Sequence, residues 1–230
     1  MKRSMVMGTV AFALAATVAA GARVSSRQKD RIRESAAVLG EIRGAPDKAI
    51  PQDLWDKARC VIVIPSVKKA ALFIGGEYGR GLMSCQHDAA WSAPVFMQLE
   101  KGSWGIQIGA ESIDLVLLVM NERGMEKLLQ DKVSLGADAS VAAGPIGRTA
   151  QAATDAQMSA EIVSYSRAQG LFAGIDLSGG VLKADADANR DLYGKGIPAR
   201  QVLTDGAKAP AETQAFMRAL TGERPAVAQP

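Results

Sequence analysis

Between residues 24 and 43 the apolar side chains return at helical spacing, with Val24, Ile32, Ala36, Leu39 and Ile42 on one stripe and charged residues around the rest. Ser25 or Ser26 suits the N-cap, and Gly44 followed by Pro46 stops the helix. A second helix is predicted over residues 51–57, with Leu54 and Trp55 turned inward. The period then changes. Residues 60–64 form a β-branched run closed by Pro65, and residues 70–74 form another that meets Gly75 and Gly76. Runs at 82–85, 95–99, 105–108 and 113–120 extend the series as strands joined by turns. Residues 121–130 are predicted as a helix with Met125, Leu128 and Leu129 facing the core. The pattern reads as strand again at 133–141, 160–166 and 171–182, and as short helices at 186–192 and 211–220. The tail from 221 to 230 is predicted to be disordered.

Gly136, Gly144, Gly147, Gly170, Gly174, Gly179 and Gly180 interrupt the later strands, where glycine permits bulges and sharp barrel bends. The expected fold class is therefore α+β: a single domain with a glycine-rich, barrel-like antiparallel sheet flanked by helices. It would span residues 23–200, followed by a C-terminal helix and tail over 201–230.

The amino terminus carries a different signal. Lys2 and Arg3 precede an apolar run from Met5 to Ala20, and Ala20-Gly21-Ala22 supplies an A-x-A cleavage pattern. Residues 1–22 thus read as a secretory signal peptide, with an uncleaved anchor as the competing reading. Export would place the mature chain in the periplasm or cell envelope. Lys and Arg number 27 against 24 Asp and Glu, and loss of Lys2 and Arg3 leaves 25 against 24. Such a balance does not suit a nucleic-acid binder, which needs many clustered cations. In an oxidising compartment Cys60 and Cys85 can form a disulfide, or remain two buried thiols.

Several tempting motifs fail on spacing. The stretch from Gly75 to Gly81 is not G-x-G-x-x-G and leads into a strand, so it lacks the helix N-terminus that stabilises a bound phosphate. It is expected as a glycine-lined turn. Asp185, Asp187 and Asn189 alternate like half of a calcium loop, but Arg190 and Gly196 stand where that loop needs Gly and Glu. These residues are expected to be a solvated helix start. His87 is the single histidine and no G-x-S-x-G is present, so His87 is expected in an exposed turn and no enzyme is implied. No cofactor or metal is expected.

Arg23, Arg27 and Arg31 recur every four residues along the first helix, and Lys29 and Arg33 form a second ridge. Cations that border an apolar stripe suit an anionic membrane surface. They equally suit a solvated face in which Arg27 pairs with Asp30 and Arg31 with Glu34. Lys68 and Lys69 add a small basic spot, with Arg80 as a further candidate.

An ordered set of segments resembles the SYLF domain family. The segments are Ala58 to Pro65, Gly75-Gly76 with Gly79-x-Gly81, Trp91 to Phe96, Gly105 to Ala110, Asp114-Leu115-Val116, Gly170 to Gly174 and Asp187 to Gly194. The resemblance covers residues 24–195 and implies lipid binding, with phosphoinositides and actin as partners in some eukaryotic members. In an exported protein it implies an anionic phospholipid or membrane surface as ligand, held by Arg23, Arg27, Lys29, Arg31 and Arg33, with Lys68, Lys69 and Arg80 as further contacts. The alternative is an envelope module for protein–protein interaction, its partner unknown.

Overall fold

The computed structural model describes residues 24–44, 50–71, 74–87, 90–104, 112–130, 132–145, 159–168 and 171–222. The expected leader, Arg23, the predicted strand at 105–108 and the tail beyond 222 lie outside them.

Strand β1 (Cys60–Ala71) lies between β2 (Ile74–His87) and β5 (Ser112–Val119), antiparallel to both. Its residues 60–64 are all fully buried, as a strand covered on both faces must be. The remaining strands are β3 (Ala90–Trp91), β4 (Val95–Trp104), β6 (Lys132–Ser134), β7 (Val141–Ala143), β8 (Ile162–Ala168), β9 (Leu171–Gly174) and β10 (Gly180–Ala184). Their order is β6-β10-β4-β2-β1-β5-β8-β7, with β3 on β2 and β9 on β8. The β7–β8 pair is parallel and the other strand pairs are antiparallel.

β6 and β7 sit at opposite ends of this order, yet only residues 135–140 separate them along the chain. A connection that short reaches at most about 25 Å, so the sheet has to curl until its edges approach. The bridge Leu135↔Ala139 draws them together, while Leu135 N–H donates to Gly180 on one side and Ile162 N–H to Ser140 on the other. The α+β class and the curled, barrel-like antiparallel sheet expected from the sequence are what the chain forms.

Six α-helices occur among the described residues: α1 (Ser26–Gly44), α2 (Gln52–Lys57), α3 (Glu122–Leu128), α4 (Ala186–Tyr193), α5 (Ala199–Thr204) and α6 (Gln214–Thr221). One buried cluster joins Ile62, Ile64, Met83, Met97, Leu115 and Leu182 with Val133 and Ile162 from near the two edges, and so fills the inner side of the curl. The other packs Ile32, Leu39 and Ile42 of α1 and Phe216 and Leu220 of α6 against Val61, Val63, Leu82 and Tyr165. The apolar stripe of α1 is therefore spent on the domain itself. At its far end Arg43 stacks 4.6 Å from the Trp55 ring centroid and donates to Leu220 C=O at 2.6 Å, which ties α6 to α1.

Four local expectations are corrected. Pro65 does not end the first strand: Ser66 takes a left-handed φ of 52°, both neighbouring registers shift, and the strand resumes with Val67. This bulge needs no N–H from Pro65, and Asp114 accepts the Ser66 N–H at 2.9 Å. The glycine-rich stretch from Gly75 to Gly81 is strand, not turn, and at Gly79 and Gly81 β2 passes so close to β1 that a side chain does not fit. Residues 133–141 break into β6 and β7, and 171–182 into β9 and β10. Helix α5, which the periodicity did not reveal, follows Pro198.

Candidate functional site

Ser25 caps α1 through a reciprocal box: Gln28 N–H donates to Ser25 Oγ at 3.3 Å, and Ser25 N–H donates to Gln28 Oε1 at 2.6 Å. Gln28 also donates from Nε2 to Asp191 at 3.0 Å and so fastens the start of α1 to α4. A second fastening comes from Asn189 of α4. Its carboxamide accepts from Phe96 N–H at 2.7 Å and donates to Phe96 C=O at 2.9 Å, replacing strand partners at the edge of β4. Two segments that carry the family resemblance, Trp91 to Phe96 and Asp187 to Gly194, are thus one unit in space.

That unit sets the electrostatics under α1. Arg31 lies over the Phe96 ring at 5.6 Å, with its side chain only 14% exposed. Its Nη1 stands 3.8 Å from Asp185 Oδ2, and Arg80 Nε stands 3.6 Å from the same oxygen. Asp185 is the N-cap of α4, accepting from Ala188 N–H at 3.2 Å through Oδ1, and its side chain is 9% exposed. The sequence expectation of a solvated helix start is corrected for this residue: Asp185 is the buried counter-charge of two arginines. Burial, and next the adjacent Arg80, pull the Arg31 pKa below its ordinary value, and Asp185 only partly opposes them. Arg80 also stacks on Tyr78 at 5.3 Å and donates to its hydroxyl.

Above these groups opens a cleft of about 340 Å³ between α1 and the β1–β2 pair. Arg27, Arg31, Lys68 and Arg80 line it, with Asp30 and Glu34 on the α1 side. Tyr78 and Arg80 project outward because they alternate with Gly79, whose α-carbon turns to the inner core beside Ile64 and Val67. Asp30 is already paired with Arg33, so four cations face Glu34, which has no ion pair among the described residues, and the shared Asp185.

Four of the eight sequence candidates therefore meet in one place. Lys29 and Arg33 do not join them: at about 100° per residue both fall on the side of α1 away from the buried stripe, and both are exposed. Arg23 and the Lys69 side chain lie outside the described residues. The anticipated pairs Arg27–Asp30 and Arg31–Glu34 are replaced by Arg33–Asp30 and Arg31–Asp185. Sequence reasoning missed Asp185 and Tyr78 as parts of the site. The N-cap pattern Asp185-x-x-Ala188 signals a helix start, but nothing local signals its arginine partners.

Cys60 and Cys85 form a disulfide. They face each other across β1 and β2, and since Gln86 N–H donates to Arg59 C=O they occupy a non-hydrogen-bonded position, where the backbones come closest. His87 is not an exposed turn residue: it ends β2, half-buried, paired in register with Ala90. Among the described residues no group of three or more His, Cys, Asp and Glu is arranged to hold a metal ion, and no helix is long and apolar enough to cross a membrane.

Fold and site together define a helix-flanked half-barrel domain with a basic cleft beside its first helix. The chain belongs to the Ysc84 or SYLF domain family, whose profile, described as "Las17-binding protein actin regulator", matches residues 100–223. The chain is similar to SH3 domain-containing YSC84-like protein 1 of Rattus norvegicus, 31% identical over 198 residues, which is 83% of this chain and 58% of that protein. It is 29% identical over 202 residues to LAS seventeen-binding protein 3 of Saccharomyces cerevisiae, covering 84% of this chain and 44% of the relative. An SH3 domain-containing protein of Schizosaccharomyces pombe is 33% identical over 180 residues, 76% of this chain and 42% of its own length. The chain thus spans about half the length of the curated relatives it matches.

Proposed function

We propose that this domain binds anionic phospholipids at a membrane surface, as a binding module and not an enzyme, through the cleft between α1 and the β1–β2 pair. The observation that carries the reading is the convergence of Arg27, Arg31, Lys68 and Arg80 on that cleft. Cations beside an anionic leaflet contribute about 1 kcal/mol each, so four suffice for reversible attachment. The affinity is local, since the chain as a whole carries a formal charge of only +3. A headgroup phosphate would also relieve the repulsion between Arg31 and Arg80 that Asp185 offsets only in part.

The reading includes export to the periplasm or cell envelope after removal of residues 1–22. The Cys60–Cys85 bond supports an oxidising compartment. Intact-mass measurement of protein secreted from its native host should give a chain beginning at Arg23, and a mass retaining Met1 would refute cleavage.

Cosedimentation with vesicles of phosphatidylcholine and phosphatidylglycerol tests the cleft. Charge reversal at Arg27, Lys68 and Arg80 together should abolish binding, and reversal at Lys29 and Arg33 should leave most of it. Equal losses in both variants would remove the cleft from the mechanism.

A second reading, a protein–protein interaction or structural module, is favoured by the name of the Saccharomyces cerevisiae relative and by the family description, which refer to binding Las17. In that case vesicle binding would be absent, and crosslinking in cells would recover a defined partner.

A further inference from the structure

A second concavity, of about 540 Å³, opens where the end of α3, α4, α5 and the inner sheet face meet. It shares no lining residue with the basic cleft. Its floor is Met83 and Met97 from β2 and β4 together with Leu203 of α5, all three buried, so that an alkyl chain reaches them only as they repack, and Leu128 of α3 with the following Leu129 forms a wall. Volumes between about 300 and 1,000 Å³ are typical of small-molecule sites. Methionine side chains are flexible and polarisable, so such a floor repacks around an apolar guest.

The polar groups around it are few. Asn189 lies on the wall, buried, with its carboxamide held by the Phe96 backbone through one accepted and one donated bond. Arg190 and Arg200 are the ionisable side chains of the lining, and both are exposed and positive. Arg190 is held by Asp187 at 2.5 Å, whereas Arg200 has no ion pair among the described residues. The connection from α4 to α5 borders the mouth. Gly194 and Gly196 adopt left-handed φ values of 91° and 85°, and Ile197 between α4 and α5 remains 39% exposed. The apolar floor suits an alkyl chain, the Gln130 carboxamide and the two arginines stand at the exposed rim, and the cations there suit a negative end group.

We propose that this cavity binds a long-chain fatty acid, its alkyl chain over Met83, Met97 and Leu203 and its carboxylate at Arg200 and Arg190. The site is separate from the membrane cleft, and its existence does not depend on the cleft's function.

Titration of the purified, delipidated chain with palmitate, followed by calorimetry, tests this. Saturable one-to-one binding is expected, with hexadecanol much weaker. The double variant R190E/R200E, which alters two exposed side chains, should weaken palmitate at least about tenfold, the usual scale for losing a hydrogen bond to a charged group. R27E/R80E should bind palmitate normally while losing phosphatidylglycerol vesicles. Absence of saturable palmitate binding by the folded wild-type chain would overturn the proposal, as would equal affinity for hexadecanol, or a loss that follows the cleft variant instead of the mouth variant.

Discussion

At the scale of single residues, Asp185 is the most informative position. It caps α4 and at the same time shares its carboxylate between Arg31 and Arg80. Asparagine caps a helix as well as aspartate does, so Asp185→Asn removes the charge and keeps the cap. Loss of this counter-charge should tighten binding to phosphatidylglycerol vesicles about fivefold, the equivalent of about 1 kcal/mol for one charge at an anionic surface. The same substitution leaves the largely buried Arg31 and the more exposed Arg80 without their shared partner, and urea unfolding should show a loss of about 2 kcal/mol, less than for a fully buried pair. Unchanged vesicle affinity would mean that the Arg31–Arg80 pair does not meet the headgroup. Glycines provide a second contrast. A Cβ on Gly81 would lie 1.8 Å from the Val63 carbonyl oxygen, whereas one on Gly102 would meet nothing within 4 Å. Gly81→Ala should therefore cost more than about 4 kcal/mol and prevent folding. Gly102→Ala should stabilise by about 0.5 kcal/mol through the unfolded chain, a difference that denaturant titration reads directly.

Among elements, two connections hold the curl in shape. The disulfide ties the two central strands across a separation of 25 residues. Closing a loop of that length in the unfolded chain corresponds to about 3.5 kcal/mol in the chain-entropy treatment, so a Cys60→Ser, Cys85→Ser protein should be less stable by about that amount. Urea midpoints for the variant and the oxidised parent check it. The second connection joins α3 to the strands at the seam. Glu161, 7% exposed, accepts from Lys127 Nζ at 2.8 Å on both oxygens and from Ser140 N–H at 2.8 Å. Burial alone would raise its pKa, but Lys127 and Ser140 together outweigh it and the net shift is downward. A carboxylate depressed in the folded state contributes stability that is complete above its unfolded pKa, and the contribution is lost as pH falls toward the folded value. Stability should therefore decline as the pH drops below about 4.5, and Glu161→Gln should flatten that acid limb while lowering stability at neutral pH. Parallel limbs for both proteins would exclude Glu161 as the titrating group.

For the whole molecule, binding through a few local cations on a nearly neutral chain predicts strong sensitivity to salt. Cosedimentation with anionic vesicles should fall steeply between about 0.05 and 0.5 M NaCl, as the screening length shrinks. Retention at high salt would point to apolar insertion instead. Much of this molecule was legible in the chain itself. Helical and two-residue periods are short-range, so α1, α3, most strands and the α+β class followed from neighbouring residues, and the ordered motifs from Ala58 to Gly194 indicated the family. The basic ridge of α1 was legible as residues but not as a surface. Rotation about the helix axis carries Lys29 and Arg33 to solvent, and Arg31 is drawn inward by Phe96 and Asp185, which local sequence does not place beside it. The passage of β1 through Pro65 and the strand conformation of the Gly75–Gly81 stretch depended on register with β2 and β5, since only close contact with a neighbouring strand makes glycine the residue that fits. The sequence by itself determined the elements, their order and the charges available, because those depend on local periodicity and composition. The tertiary structure alone decided which cations share a cleft, which acid neutralises them and how the sheet meets its own edge, because these depend on distant residues brought together by burying both faces of one curled sheet.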